Sequence, residues 1–351
     1  MMDRARSRVK PSRTAVARIA VGVAAIAAIL GVAACGGDDS EGSSNGGGTV
    51  NLVAYSTPQE LYEQSIEPAF EESPDGSGVT FENSFGASGD QARAVESGLP
   101  ADVVHLSLEP DMQTLVDAGL VAEDWADNEY DGIVQNSVVT FLVREGNPEN
   151  IQDWDDLVTG DVEVITPNPF SSGGAQWNIM AAYGAQLAQG DSEEEALEYV
   201  KQLLENTPVQ DKSASDALAT FTGGKGDVLL AYENEAIRAI DAGEEVEYVT
   251  PDDTLLIETP LAVTSDAEDP EAAQAFVDYL YTDEGQQLYA DAGYRPLVES
   301  VLKENEKEFP TPPGLFTIEE FGGWATVREE FFDPANGSVA EIERELGVST
   351  G

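Results

Sequence analysis

Short apolar runs that read as strands alternate along this chain with segments of helical periodicity, and no other feature constrains its fold as tightly. Runs at 50–55, 79–83 and 102–106 are followed by helix candidates at 59–70, 89–96 and 110–118. The pattern resumes with the apolar runs 138–143, 162–166 and 228–232, with helices between them. In 192–206, Ala196, Leu197, Val200, Leu203 and Leu204 mark one helical face, which reads as core. Such alternation predicts an α/β protein with mainly parallel sheets. No internal sequence repeat is detected. In these folds ligands bind beyond the carboxyl ends of strands, beside helix N-termini.

Four strand-to-helix turns therefore carry the interest. They are Tyr55-Ser56-Thr57-Pro58, Phe85-Gly86-Ala87-Ser88-Gly89-Asp90-Gln91, Ser171-Ser172-Gly173-Gly174 and Asp211-Lys212-Ser213-Ala214-Ser215. Each alone is a routine cap; together they suggest a common purpose. The third is the most specific. A helix opening Ser-Gly-Gly presents unpaired backbone N–H groups, a hydroxyl and the positive end of the macrodipole, with no side chain to keep a ligand off the backbone. That is the construction of an anion site.

At the N-terminus, Arg4, Arg6, Arg8, Lys10, Arg13 and Arg18 precede an apolar run over 19–34 that ends Val32-Ala33-Ala34-Cys35. This reads as a signal peptide over 1–34. The only cysteine follows its small residues, where a bacterial lipoprotein carries the thiol that is acylated; the run is short for a membrane span. Residues 35–48 contain almost nothing to bury and read as a flexible tether. About three hundred residues remain, enough for two lobes with their own cores. The whole chain has a formal charge of -50; taking away six basic leader residues and one acidic leaves 11 Lys and Arg against 66 Asp and Glu, or -55. Nucleic acid and anionic membrane surfaces are poor partners for such a surface.

Enzymatic readings find little support. His105, the only histidine, lies in an apolar strand and reads as structural. No serine stands in a Gly-x-Ser-x-Gly elbow, and Thr222-Gly223-Gly224-Lys225-Gly226 lacks the first Gly and the hydroxyl residue of a phosphate loop. Asp127 to Gly132 has carboxylates in calcium-loop spacing, but Val138 stands where the closing Glu belongs, so it reads as an acidic loop with at most weak calcium binding. No cofactor or metal is expected.

From about Val50 to about Phe332 the chain resembles the periplasmic sulfate/thiosulfate-binding proteins of ABC importers. The resemblance rests on Glu60-Leu61-Tyr62, Ser88-Gly89 with Gln91-Ala92-Arg93-Ala94-Val95, Asp153-Trp154-Asp155-Asp156-Leu157, and Val164-Ile165-Thr166-Pro167-Asn168-Pro169. It continues through Ser172-Gly173-Gly174-Ala175 with Trp177-Asn178, Gly226-Asp227-Val228-Leu229-Leu230, Glu233-Asn234-Glu235-Ala236, Tyr294-Arg295-Pro296 and Phe321-Gly322-Gly323-Trp324-Ala325. The family implies a two-lobed periplasmic binding protein fold of type II with a hinge, and a dehydrated anion held by neutral donors. Carried over by motif, backbone donors fall at Ser56, Ser88, Gly173, Gly174 and Ala214, and the hydroxyl at Ser172. Tyr232 occupies the family's indole position, and Asp90, Gln176 and Ser215 stand beside turns where the family tends to carry cations. Lys212 remains as the nearby cation of these loops.

The resemblance further implies a monomeric, extracytoplasmic lipoprotein, anchored to the membrane through Cys35, that delivers sulfate or thiosulfate to an ABC permease. Segments 137–143 and 255–263 are the expected crossings between lobe 1 (49–139 and 260–351) and lobe 2 (140–259). Molybdate, tungstate and phosphate are alternative ligands, and an anion-processing hydrolase is the alternative from another class. Selection follows from proton count: sulfate only accepts hydrogen bonds, whereas phosphate keeps a proton that an all-donor site leaves unpaired, at about 1–3 kcal/mol. Asp90 and Asp216 lie near enough in sequence to turn inward and accept such a proton.

Overall fold

The computed structural model describes residues 47–350. The leader, Cys35 and the tether as far as residue 46 lie outside the described residues. Ten strands form one mixed sheet: β1 (Thr49–Tyr55), β2 (Thr80–Gly86), β3 (Val103–His105), β4 (Ile133–Arg144), β5 (Val164–Pro167), β6 (Val209–Asp211), β7 (Val228–Tyr232), β8 (Val246–Val249), β9 (Asp253–Val263) and β10 (Gly314–Phe316). Their order is β2-β1-β3-β9-β4-β7-β5-β6, with β10 added to β9 and β8 to β4.

β1 pairs in parallel with β2 and β3, and β5 in parallel with β6 and β7. Every antiparallel pairing of the ladder involves β4 or β9. These two strands are long because each serves three neighbours. β4 pairs with β9 as far as Val138 and with β7 from Val139; β9 pairs with β4 up to Pro260 and with β3 from Leu261. The crossings expected at 137–143 and 255–263 lie on them. The two ends of the sheet also share one plan. Reading inward, β2-β1-β3-β9 on one side repeats as β6-β5-β7-β4 on the other, a repeat of topology with no counterpart in the sequence.

Period-two alternation explains why both faces are covered. On β1, Val50, Leu52 and Ala54 join one apolar cluster with Tyr62, Ile66, Phe70 and Phe276, while Val53 joins another with Val95, Met112 and Leu115. On β7, Val228 and Leu230 pack with Trp177 and Trp154, and Leu229 and Ala231 with Phe221. Near-continuous apolar strands of this kind are the signature of a parallel sheet buried on both sides.

The C-terminal segment departs from the expected grouping of 260–351 in the first lobe. Phe316, Ile318, Trp324, Val327, Phe331, Val339 and Ile342 share their core with Trp154, Trp177 and Tyr183, and β10 pairs with the start of β9 at Asp253–Leu255. The aromatic residues past Pro313 find their complementary surface on the helix Gly173–Gln189. Gly184 is the contact that permits this: a Cβ there would lie 2.4 Å from a Phe316 ring carbon and 2.7 Å from one of Phe321. Gly184→Ala gains roughly 1 kcal/mol of helix propensity but overpacks the site, at about 1–3 kcal/mol. The variant is expected to unfold at lower urea than the wild type; an equal or higher midpoint would show that the rings give way.

Candidate functional site

The four turns singled out from the sequence converge. The strand ends after β1, β2, β5, β6 and β7 bring Ser56, Ser88, Ser172, Gly173, Gly174, Ala214 and Tyr232 around one cavity of about 10 Å3, roughly one water-sized sphere. Tyr55, Thr57, Gly86, Ala87 and Ser107 complete its wall. No residue of that wall carries a formal charge at neutral pH, since burial raises the Tyr55 and Tyr232 phenols well above their ordinary value.

Helix starts explain the donors. Ser88 opens the helix Ser88–Glu96, Gly173 the helix Gly173–Gln189 and Ala214 the helix Ala214–Thr222. First-turn N–H groups have no partner within a helix, and among the described residues those of Ser56, Ser88, Gly173, Gly174 and Ala214 donate to no protein acceptor. Ser172 sits at an N-cap, where a serine normally spends its hydroxyl on the helix; here it makes no cap hydrogen bond. Ser213 does the opposite and caps Asp216 N–H at 3.1 Å. Gly173 is sterically obligatory: a Cβ would come within 2.7 Å of Leu108 Cγ and Ser107 Oγ.

The acidic residues near the turns do not reach the cavity. Asp90 pairs with both Lys212 and Arg93. Partial burial pushes its carboxyl up, but the two cations outweigh this and hold it below the usual range. Lys212 is thereby engaged across the rim. Asp216 accepts from Ser213 Oγ at 2.7 Å, and Gln176 donates to the Pro169 carbonyl at 2.8 Å, bracing the turn before Ser172. Ser215 lies on the outer wall with Asp90 and Lys212. The carboxylate that matters was not anticipated: buried Asp111 accepts the Ser88 hydroxyl at 2.6 Å, so Ser88 faces the cavity as a backbone donor. Burial raises the Asp111 carboxyl, against the Ser88 hydrogen bond and the more distant Arg328 and Arg93.

Side chains from distant parts of the chain meet beside the cavity. Arg295 forms a bidentate pair with Glu233 at 2.7 and 3.0 Å, both buried. Arg238 donates to the Thr57 carbonyl at 2.5 Å and to Glu60 at 2.7 Å, pinning the Ser56–Thr57 turn to the helix that follows Tyr232. Trp177 Nε1 donates to the Ser107 carbonyl at 2.8 Å. Sequence position alone could not show these partners, which lie 62 to 181 residues apart.

His105 is buried, with Nδ1 2.8 Å from Tyr62 Oη and Nε2 3.0 Å from Thr259 Oγ1. Desolvation pushes its pKa down from 6.5 to about 3. A folded-state pKa below the unfolded one means that stability is lost as pH falls from 6.5 toward 3, because the unfolded chain takes up the proton first. As the chain has a single histidine, its ring resonances are expected to keep neutral shifts from pH 8 down to 5 while the protein stays folded; a midpoint near 6.5 would contradict the buried environment.

A pocket walled by neutral hydrogen-bond donors, placed where the two halves of the sheet meet, has the form of a solute-binding site. Residues 50–295 match the family of bacterial extracellular solute-binding proteins. The chain is similar to the sulfate-binding protein of Synechococcus elongatus, 41% identical over 320 residues that take in 88% of this chain and 91% of that one. It is also similar to the thiosulfate-binding protein of Pseudomonas aeruginosa, 34% identical over 294 residues, 80% of this chain and 88% of the other. Among solved structures, the sulfate-binding protein SubI from Mycobacterium tuberculosis H37Rv superposes with a TM-score of 0.79 at 45% identity, over 81% of this chain and 99% of that chain. The chain belongs to the bacterial extracellular solute-binding proteins, in the branch that holds these sulfate- and thiosulfate-binding proteins. Among the described residues no helix is long and apolar enough to cross a membrane.

Proposed function

We propose that this protein captures sulfate, or the similarly shaped and fully deprotonated thiosulfate, in the cavity between its two half-sheets and delivers it to an ABC importer. The observation that carries the reading is the convergence of five unpaired backbone N–H groups and the Ser172 hydroxyl on one small cavity with no carboxylate in its wall. Charge-assisted hydrogen bonds from fixed dipoles offset dehydration of a dianion without a counter-charge. A ligand that must itself donate a proton, such as phosphate, finds no carboxylate there to receive it.

In this reading lobe 1 comprises β1 to β3 with their helices and lobe 2 comprises β5 to β8 with residues 314–348, and the chain bends where β4 and β9 pass from one to the other. Ligand contacts both lobes and so favours the closed arrangement, which the permease reads. Residues 1–34 direct export, and lipidation of Cys35 tethers the monomeric protein to the outer face of the membrane.

Calorimetric titration of protein lacking residues 1–35 with sulfate, thiosulfate, phosphate, molybdate and tungstate tests the ligand. Saturable binding of sulfate or thiosulfate, with phosphate weaker by tenfold or more, is expected; no saturable binding in low-salt buffer refutes it. Ser172→Ala is expected to weaken sulfate binding by roughly 1.5–3 kcal/mol, the range for a hydrogen bond to a charged group, and an unchanged affinity would remove that hydroxyl from the site. Cys35→Ser is expected to abolish metabolic labelling by a fatty acid and release the protein from membranes, whereas continued membrane association would argue against the anchor.

A further inference from the structure

Three strand ends on each side of the sheet face the cavity, and the sequence reading used five of the six. The sixth is Ser107, after β3, the topological counterpart of Tyr232 at the end of β7. Ser107 is 1% exposed and lines the cavity. Its backbone is fixed from two sides: its N–H donates to Ser88 Oγ at 2.9 Å and its carbonyl accepts from Trp177 Nε1 at 2.8 Å. Its Oγ stands 2.8 Å from Tyr232 Oη, beside the Gly173 backbone, where a Cβ would approach it to 2.7 Å.

We propose, resting on the oxyanion reading above, that Ser107 and Tyr232 act as a hydroxyl pair that supplies one hydrogen bond to the bound anion, Ser107 being a binding residue in its own right. The pair holds two protons and one is spent between the two oxygens. Whichever way that bond runs, the other hydroxyl proton is free, and a fully deprotonated anion in the cavity is the acceptor within its compass. The nearby carboxylates do not compete for it: Asp111 is engaged by Ser88, and Glu235 by the Tyr232 N–H at 3.2 Å and Thr57 Oγ1 at 3.4 Å. Ser107 thus supplies what a lone phenol at the indole position lacks, a partner that fixes its direction and can take over its role.

The test is a double-mutant cycle on the full chain purified in detergent, titrated with sulfate and followed by thermal unfolding. Ser107→Ala and Tyr232→Phe each leave one hydroxyl able to donate, so each is expected to weaken sulfate about twofold. The double variant removes the donor and is expected to lose about 10- to 100-fold, more than the product of the single losses, as for a bond to a charged group. A purely structural pair would behave in the opposite way, since either single change already breaks the one bond between them. A double variant no weaker than Tyr232→Phe overturns the proposal and leaves sulfate binding standing; absence of saturable binding by the wild type overturns both. If Ser107→Ala does not fold, Ser107→Cys keeps the volume without a strong donor and carries the same expectation.

Discussion

A helix cannot satisfy its own first N–H groups, and in this protein that deficiency is gathered in one place. Chain order β2-β1-β3 and β6-β5-β7 sends each strand into its following helix at the same edge of the sheet, and the β4–β9 pairing turns the two edges toward one another. Unpaired donors that would cost stability if buried singly therefore face a common cavity. Three neighbouring side chains fix the turns: Gln176 braces one, Arg238 another, and Asp111 turns the Ser88 hydroxyl aside.

Neutrality at the cavity wall does not mean absence of charge nearby. Asp111, Glu233 and Glu235 are all buried close behind it, and each has its carboxyl raised chiefly by desolvation. Each is also hydrogen-bonded, to Ser88, to Arg295, and to Tyr232 N–H with Thr57 respectively. Removing one partner from such an arrangement is far costlier than the pair is worth, because a buried charge is left alone. These groups organise the wall from behind it and do not line the cavity.

Much of this was legible in the sequence, because it is local. Apolar period and turn chemistry locate strands such as β1 and β7 and the helix that opens at Gly173, and the glycines after Ser172 announce a backbone that something must approach. What was not legible depends on contacts between distant segments. Ser107 follows a three-residue strand with no Gly or cap signal to distinguish it, and only its meeting with Tyr232 and Gly173 gives it meaning. Asp111 stands in the first turn of its helix as acidic residues commonly do, and only its contact with Ser88 sets it apart. The C-terminal segment is grouped with the first lobe by its place in the sequence, whereas Phe316 and Phe321 pack over Gly184. Identity of the turns can be read from a chain; which cations they recruit cannot, as Asp90 drawing in both Arg93 and Lys212 demonstrates.

That rim has a kinetic consequence. Arg93 and Lys212 share the single carboxylate of Asp90 at the rim, while the chain as a whole is strongly negative. So negative a chain repels a dianion approaching in dilute buffer, whereas at physiological ionic strength, with a Debye length of about 8 Å, most of that repulsion is screened. Capture should thus quicken as salt is added, the reverse of the behaviour of an electrostatically steered receptor. The short-range geometry of the proposed site is left intact by added salt, so only the long-range repulsion is screened.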